Sequence, residues 1–458
     1  MYADHTSTGL HAMITRTMTR IGLAAVLMLA GASAYANPHI LHWQAPSGAQ
    51  VYFVEDHGLP MLDAEVSFPA GSGFDTAAKS GVAAMTQNML DLGTKTLGED
   101  NISRKMADIG AELGGDFDQD RASVSVRTLS NPEQRDQALA IMASVLQQPV
   151  FPDKVLAREK MRLIAALKES ETRPEAIAEK AFSKAVYGSH PYGLMPSGDV
   201  ATVEKITRND LLAFYRAHYG AKSAVVALMG DITRPQAEAI AQQLTAQLPP
   251  GGASGKIPPV TMQIKASEQR IPHPASQSHI LIGAPGVSRT DPDYFTLYVG
   301  NYILGGGGFV SRLMNEVREK RGLAYSVYSY FIPMQQPGPF RIGLQTRKES
   351  ADQALAIVRQ TLRQFIEKGP TEKELVAAKE HIIGGFPLRI DSNGKILGYL
   401  SMIGFYGLPL TYLDDFPGKV EKVTVAQIHD AFKRRVNPDA LATVIVGAPP
   451  QEKTGQSK

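Results

Sequence analysis

The chain repeats itself at a nearly constant offset. DQALAI stands at 136–141 and again at 352–357, a separation of 216; VEK-(Ile/Val)-Thr stands at 203–207 and 420–424, a separation of 217. Two matched words at nearly the same offset imply two similar units of about two hundred residues each. Thr207 with Asp210, and Thr424 with Gln427, each form a capping-box start to a helix, and each helix leads to an apolar strand ending in glycine, at 223–230 and 440–447. Between the units runs LPPGGASGKIPP, a Pro/Gly-rich stretch whose composition suits an exposed strap rather than a core segment. The expected divisions are 37–248, a linker at 249–259, a second unit at 260–448 and a flexible tail at 449–458.

Hydrophobic periodicity gives both units the same order of elements. In the first, strands are expected at 51–55, 62–68, 115–118 and 122–128, and helices at 78–92 and 101–109 and from Pro132 and Pro152. Asn131 before Pro132 is a cap-plus-first-turn pair. The second unit repeats this with elements at 279–283, 294–303, 311–320, 325–331 and 341–346, and helices from Ser350 and Thr371. Sheets flanked by helices on one face, twice over, make an α+β fold of two tandem halves, each a mainly antiparallel sheet.

Lys+Arg 47 against Asp+Glu 45 leaves a net charge of +2, so no global field favours nucleic acid or an anionic membrane. At the N-terminus, Arg16 and Arg20 precede an apolar run at 21–32, and Ala34-Tyr35-Ala36 supplies the small residues of a cleavage site before Asn37. Residues 1–36 therefore read as a signal peptide, one of better proportions if translation starts at Met13, and the run is too short to span a bilayer. Zero cysteines fit an oxidising compartment without disulfides. The expectation is a soluble periplasmic protein with no membrane attachment once processed.

GVAAMTQNMLDLGT at 81–94 has the apolar and glycine frame of a zinc peptidase's metal helix, in which H-x-x-E-H puts two His on one helical face with a Glu between them. Here those places hold Ala84, Gln87 and Asn88. Alanine has no donor atom, and neutral amides neither replace imidazole on zinc nor act as a base near pH 7. The other histidines supply no substitute: His39, His42, His273 and His279 lack carboxylate partners at ligand spacing.

The second unit contains LGGGGFVSRLMNEVREKRGLAYSVYSYF from Leu304. Together with GSGFD at 71–75, HPYG at 190–193 and the two VEK-x-T segments, this run resembles the insulinase (pitrilysin) family of zinc metallopeptidases, over about 51–447. The resemblance implies a clam-like chamber built from two such halves. It also places Ala165 where the family's third zinc ligand, a Glu, would sit. Some members of that family are two-chain enzymes, in which one chain carries H-x-x-E-H and the other an Arg/Tyr pair; this sequence resembles the second kind, with Arg318 and Tyr325 as the pair. On that resemblance no cofactor is bound by this chain, zinc sits in a homologous partner subunit with intact H-x-x-E-H, and the substrate is a peptide or unfolded polypeptide.

A guanidinium with five donors and a phenol with one can hold the carbonyls of an extended peptide and a developing oxyanion. Side-chain types alone favour an Arg318 paired with Glu316 or Glu319 and a Tyr325 in the core; the block in which they stand reverses that preference. Gly305–Gly308 reads as helix punctuation, and no G-x-x-x-x-G-K-[ST] follows to make a phosphate loop. Three readings follow: the Arg/Tyr subunit of a heterodimeric zinc endopeptidase, an inert peptide-binding module, and a structural scaffold of the same fold.

Overall fold

The computed structural model describes residues 38–251, 255–262 and 265–447. The expected signal peptide at 1–36 and C-terminal tail at 449–458 lie outside the described residues. The first unit builds one sheet from β1 (Leu41–Gln44), β2 (Gln50–Glu55), β3 (Met61–Phe68), β4 (Glu112–Gly114), β5 (Ala122–Leu129) and β6 (Val225–Gly230), in the order β1-β2-β6-β3-β5-β4. The second builds another from β7 (Ser267–Ile271), β8 (Gln277–Pro285), β9 (Ala324–Phe331), β10 (Pro339–Arg347) and β11 (Ala442–Val446), in the order β7-β11-β8-β10-β9. Remove β1 and the two orders coincide. Even the pairing senses match, since β2 with β6 and β7 with β11 are the parallel pairs and the other ladders are antiparallel. The duplicated words thus belong to duplicated α+β halves.

Helices cover both faces of each sheet rather than one. On β3, Leu62, Ala64, Val66 and Phe68 enter the first unit's own core with Met142 and Leu146 of the Pro132–Gln147 helix. The alternate residues face the other way. There Glu65, 6% exposed, accepts hydrogen bonds from Ser67 Oγ (2.7 Å) and from Ser401 Oγ (2.6 Å), and Ser401 belongs to the Asn393–Tyr406 helix of the second unit. On β6, Val225, Ala227 and Met229 share an apolar cluster with Leu400 and Ile403 of that same helix. Gly404 permits the approach, because a Cβ there would lie 2.5 Å from Val225 Cγ1 and 2.7 Å from Tyr52 Cε2.

The first unit returns the contact. Ala178, Phe182 and Val186 of its Pro174–Tyr187 helix pack against Leu281 of β8 and Val444 and Val446 of β11. Each fully buried side chain of this kind is worth about 1.5–3 kcal/mol, so each sheet depends on the other half for the cover of one face. The continuous burial of VVALMG on β6 is the local sign of it.

One carboxylate ties the halves together. Asp120, 1% exposed and just before β5, accepts from the Tyr192 hydroxyl of HPYG, from the Tyr406 hydroxyl (2.7 Å) and from the Gln335 backbone N–H (2.6 Å). Burial raises its pKa while the three donors pull it down. The linker also departs from an exposed strap: Ile257 is 2% exposed and packs with Tyr192 and Met334. An isolated isoleucine in a Pro/Gly-rich run finds a site in the junction.

Several elements end elsewhere than periodicity expects. The strand expected at 115–118 lies at Glu112–Gly114; beyond it, a Cβ at Gly115 would meet the Ser123 carbonyl oxygen at 1.9 Å, and pairing lapses to a lone bridge from Phe117 to Ala122. The helix expected at 78–92 is confined to Val82–Asn88. Its start is set by buried Asp75, whose carboxylate accepts from Gly81 N (2.7 Å) and Ala83 N (3.0 Å). The helix expected at 311–320 is regular only at Arg312–Met314 and then widens to a π-turn, Asn315–Glu319.

Candidate functional site

In the first unit the helix frame for a metal site is present and its chemistry is spent on structure. Ala84 is 6% exposed. Gln87 donates from Nε2 to the Ser123 carbonyl of β5 (2.6 Å) and accepts at Oε1 from the Tyr219 hydroxyl (3.0 Å), so its amide is locked between the sheet and the end of the Arg208–His218 helix. Asn88 stands exposed at the rim of a cavity of about 910 Å³.

The facing wall comes from the Asp153–Ser170 helix, through Arg158, Glu159 and Arg162. Arg158 makes two N–H bonds to Glu99 (2.6 and 2.7 Å) and a third to Glu159 (2.7 Å), which holds Glu99 below the usual carboxylate range. Ala165 is exposed further along that helix and is not among the residues lining the cavity. Among the described residues no group of three His, Cys, Asp or Glu is placed to hold a metal ion. An alanine, two amides and a guanidinium do not fit zinc, which takes imidazole, thiolate or carboxylate.

The second unit brings its two expected residues together. Arg318 lies on the π-turn Asn315–Glu319, a form frequent at functional sites, and Tyr325 is the second residue of β9. The Arg318 Cζ sits 4.9 Å from the centre of the Tyr325 ring. A third side chain completes the arrangement: Phe309, carried by the turn Gly308–Val310 at the end of the glycine run, places its ring 4.8 Å from the same Cζ.

The two rings of this stack are turned toward solvent. Tyr325 is 81% exposed and Phe309 67%, so a core position for Tyr325 does not hold. Glu316 is taken by Lys320 (2.6 Å) and Arg321 (2.7 Å), leaving Arg318 with a loose 3.5 Å approach to Glu319. Among the described residues the Tyr325 hydroxyl has no hydrogen-bond partner. A flat cation gripped by ring faces keeps its edge donors available, while the rings suppress its rotation. Such a pair can donate to peptide carbonyls or to a developing oxyanion.

Sequence reasoning missed Phe309 and the Arg158–Glu99 pair. The signal for Phe309 was a large apolar residue directly after four glycines, where a buried partner is least expected. Nothing local marks Arg158 and Glu99, whose meeting depends on how two helices pack.

The chain matches the family model "Insulinase (Peptidase family M16)" over residues 51–198 and "Peptidase M16 inactive domain" over 205–382. It is 27% identical to "Non-peptidase homolog YmxG" of Helicobacter pylori, across 94% of this chain and 98% of that protein. It is 26% identical to "Uncharacterized zinc protease YmxG" of Bacillus subtilis, across 78% of this chain and 86% of that one. Among solved structures, a peptidase M16 inactive domain from Pseudomonas fluorescens superposes with a TM-score of 0.86 at 40% identity, covering 90% of this chain and 99% of its own.

Proposed function

Because this chain belongs to the insulinase family, peptidase family M16, we propose that it is the non-metal-binding subunit of a heterodimeric zinc endopeptidase of the periplasm. Arg318 and Tyr325 act on a peptide whose hydrolysis is carried out at the zinc site of a homologous partner with intact H-x-x-E-H. The observation that carries this reading is the contrast in donor use. Gln87, at the position of the general base, has both ends of its amide occupied by protein, whereas in the Arg318–Tyr325 pair the phenol is exposed and unclaimed and the guanidinium makes only a 3.5 Å approach to Glu319. The zinc and the base belong to the partner. This chain binds the extended peptide, orients the scissile carbonyl and stabilises the oxyanion by hydrogen bonds.

The name of the Helicobacter pylori relative, a non-peptidase homolog, favours a second reading, an inert peptide-binding or structural scaffold. Reconstitution separates the two. The purified mature chain is expected to hold no stoichiometric zinc by elemental analysis and to cleave no peptide alone. A chain carrying H-x-x-E-H is expected to co-purify with it and to gain peptidase activity only in its presence. Full activity of that partner alone leaves the scaffold reading standing in place of this one.

A further inference from the structure

A cavity of about 380 Å³ opens at the junction of the two units, with Asp118 and Arg121 from the first and Arg289, Arg389 and Lys395 from the second among its walls. Four cations therefore face one carboxylate, in a chain whose net charge is only +2. Two of the four are already matched, Arg121 by Asp118 at 3.4 Å and Lys395 by Asp391 at 2.8 Å. Arg289 and Arg389 have no ion pair among the described residues. Arg289 keeps a buried Nε with no hydrogen-bond partner, and its Nη1 makes one long contact, 3.4 Å, to the Tyr294 hydroxyl. Arg389 is set among the Tyr298 and Tyr399 hydroxyls, with its Cζ 5.8 Å from the Tyr298 ring. Leaving the Arg289 Nε buried without an acceptor is costly, and Arg389, bonded only to neutral tyrosine hydroxyls, brings a second charge without a counter-charge to the same open space, so the site is matched to an anion.

We propose that this cavity is a carboxylate subsite for the bound peptide. The planar, two-pronged guanidinium fits a carboxylate oxygen pair, and Ile332, Pro333, Met334 and Met402 supply apolar wall for an attached side chain. The volume is at the low end for ligand pockets, which suits the last residue or an acidic side chain of a peptide rather than a length of chain. Arg289 also lines a neighbouring cavity of about 550 Å³ with Lys419 and Lys422, which extends the positive field. The proposal rests on the peptide-binding part of the function above.

The test is fluorescence anisotropy on the full chain with three N-terminally fluorescein-labelled hexapeptides of alanine and leucine: a free acid, its C-terminal amide, and an amide ending in glutamate. At least one carboxylate-bearing peptide is expected to bind about tenfold or more tightly than the plain amide, and which one does so identifies the source of the carboxylate. Arg289→Gln and Arg389→Gln are each expected to erase that preference, and Arg389→Lys to retain part of it, with melting temperatures checked by circular dichroism. Equal binding of all three peptides, or a preference that survives both glutamine variants, overturns the subsite and leaves the reading of Arg318 and Tyr325 intact. Absence of binding by any peptide overturns the subsite; whether the proposed function falls with it is decided by the separate activation of the partner.

Discussion

The two units share a strand order and differ in what they do with the helix that crosses it. The helices that lead to the left-handed glycines Gly110 and Gly322 stand at an offset of 212, at which Arg318 corresponds to Met106, 4% exposed in the first unit. The first unit has thus turned to packing the position where the second has its cation. Duplication supplies two copies of one scaffold, and chemistry is then needed in neither copy wholly: the first has closed Gln87 with internal hydrogen bonds, and the second displays an aromatic-gripped cation. A site is recognised here less by residue type than by whether its donors are already spent.

The largest expected effect breaks or upholds that contrast directly. In the complex reconstituted with the H-x-x-E-H partner, Tyr325→Phe and Arg318→Ala are each expected to lower kcat/KM by roughly ten- to a thousandfold, as loss of an oxyanion donor does. Wild-type rates from both variants in assembled complexes make the pair structural.

The first unit should answer in stability instead. Burial pushes the Asp75 carboxyl up to about 7, against the two backbone donors that lower it. The folded chain then holds this proton to higher pH than the unfolded chain does, so the stability it confers is full below about pH 4 and declines as pH rises toward 7. Denaturant unfolding at several pH values should show that slope, of the order of 2–4 kcal/mol over the window. Asp75→Asn should remove it; an unchanged slope in the variant assigns the titration to another group.

Gln87→Leu strips the Tyr219 hydroxyl and the Ser123 carbonyl of their partner, and about 1–3 kcal/mol of unfolding free energy is expected to go with it. Activation of the partner should persist; its loss without unfolding would mean that the first unit retains a chemical role. The smallest effect belongs to Phe309→Ala, which removes one ring from the Arg318 stack. A contact of this exposed kind is worth about 0.5–1 kcal/mol, so kcat/KM should fall about two- to fivefold.

Much of this was written in local sequence. The capping boxes at Thr207 and Thr424 form as spacing requires, and alternation along β3 and β5 gave both strands nearly to the residue. The pairing of Arg318 with Tyr325 was legible because both stand in one short run. The exchange of helices was not, since Phe182 and Leu400 look like ordinary core residues of their own halves. Their periodicity says that a face is buried and never against what. Nor was the burial of Ile257 legible, because composition describes a linker's average and not its one apolar anchor.

The exchange of cover between the halves also sets a timetable. On the ribosome the first sheet is complete once Gly230 has emerged, yet the helix that must lie on its open face begins at Asn393. At about 5–20 residues per second that gap is roughly ten to thirty seconds, during which Val225, Ala227 and Met229 have no native cover. A nascent chain that cannot close early remains threadable, the condition a polypeptide must keep if it is to be passed across a membrane before it folds. The same delay leaves an apolar sheet face open to passing chaperones, and to aggregation when they are scarce.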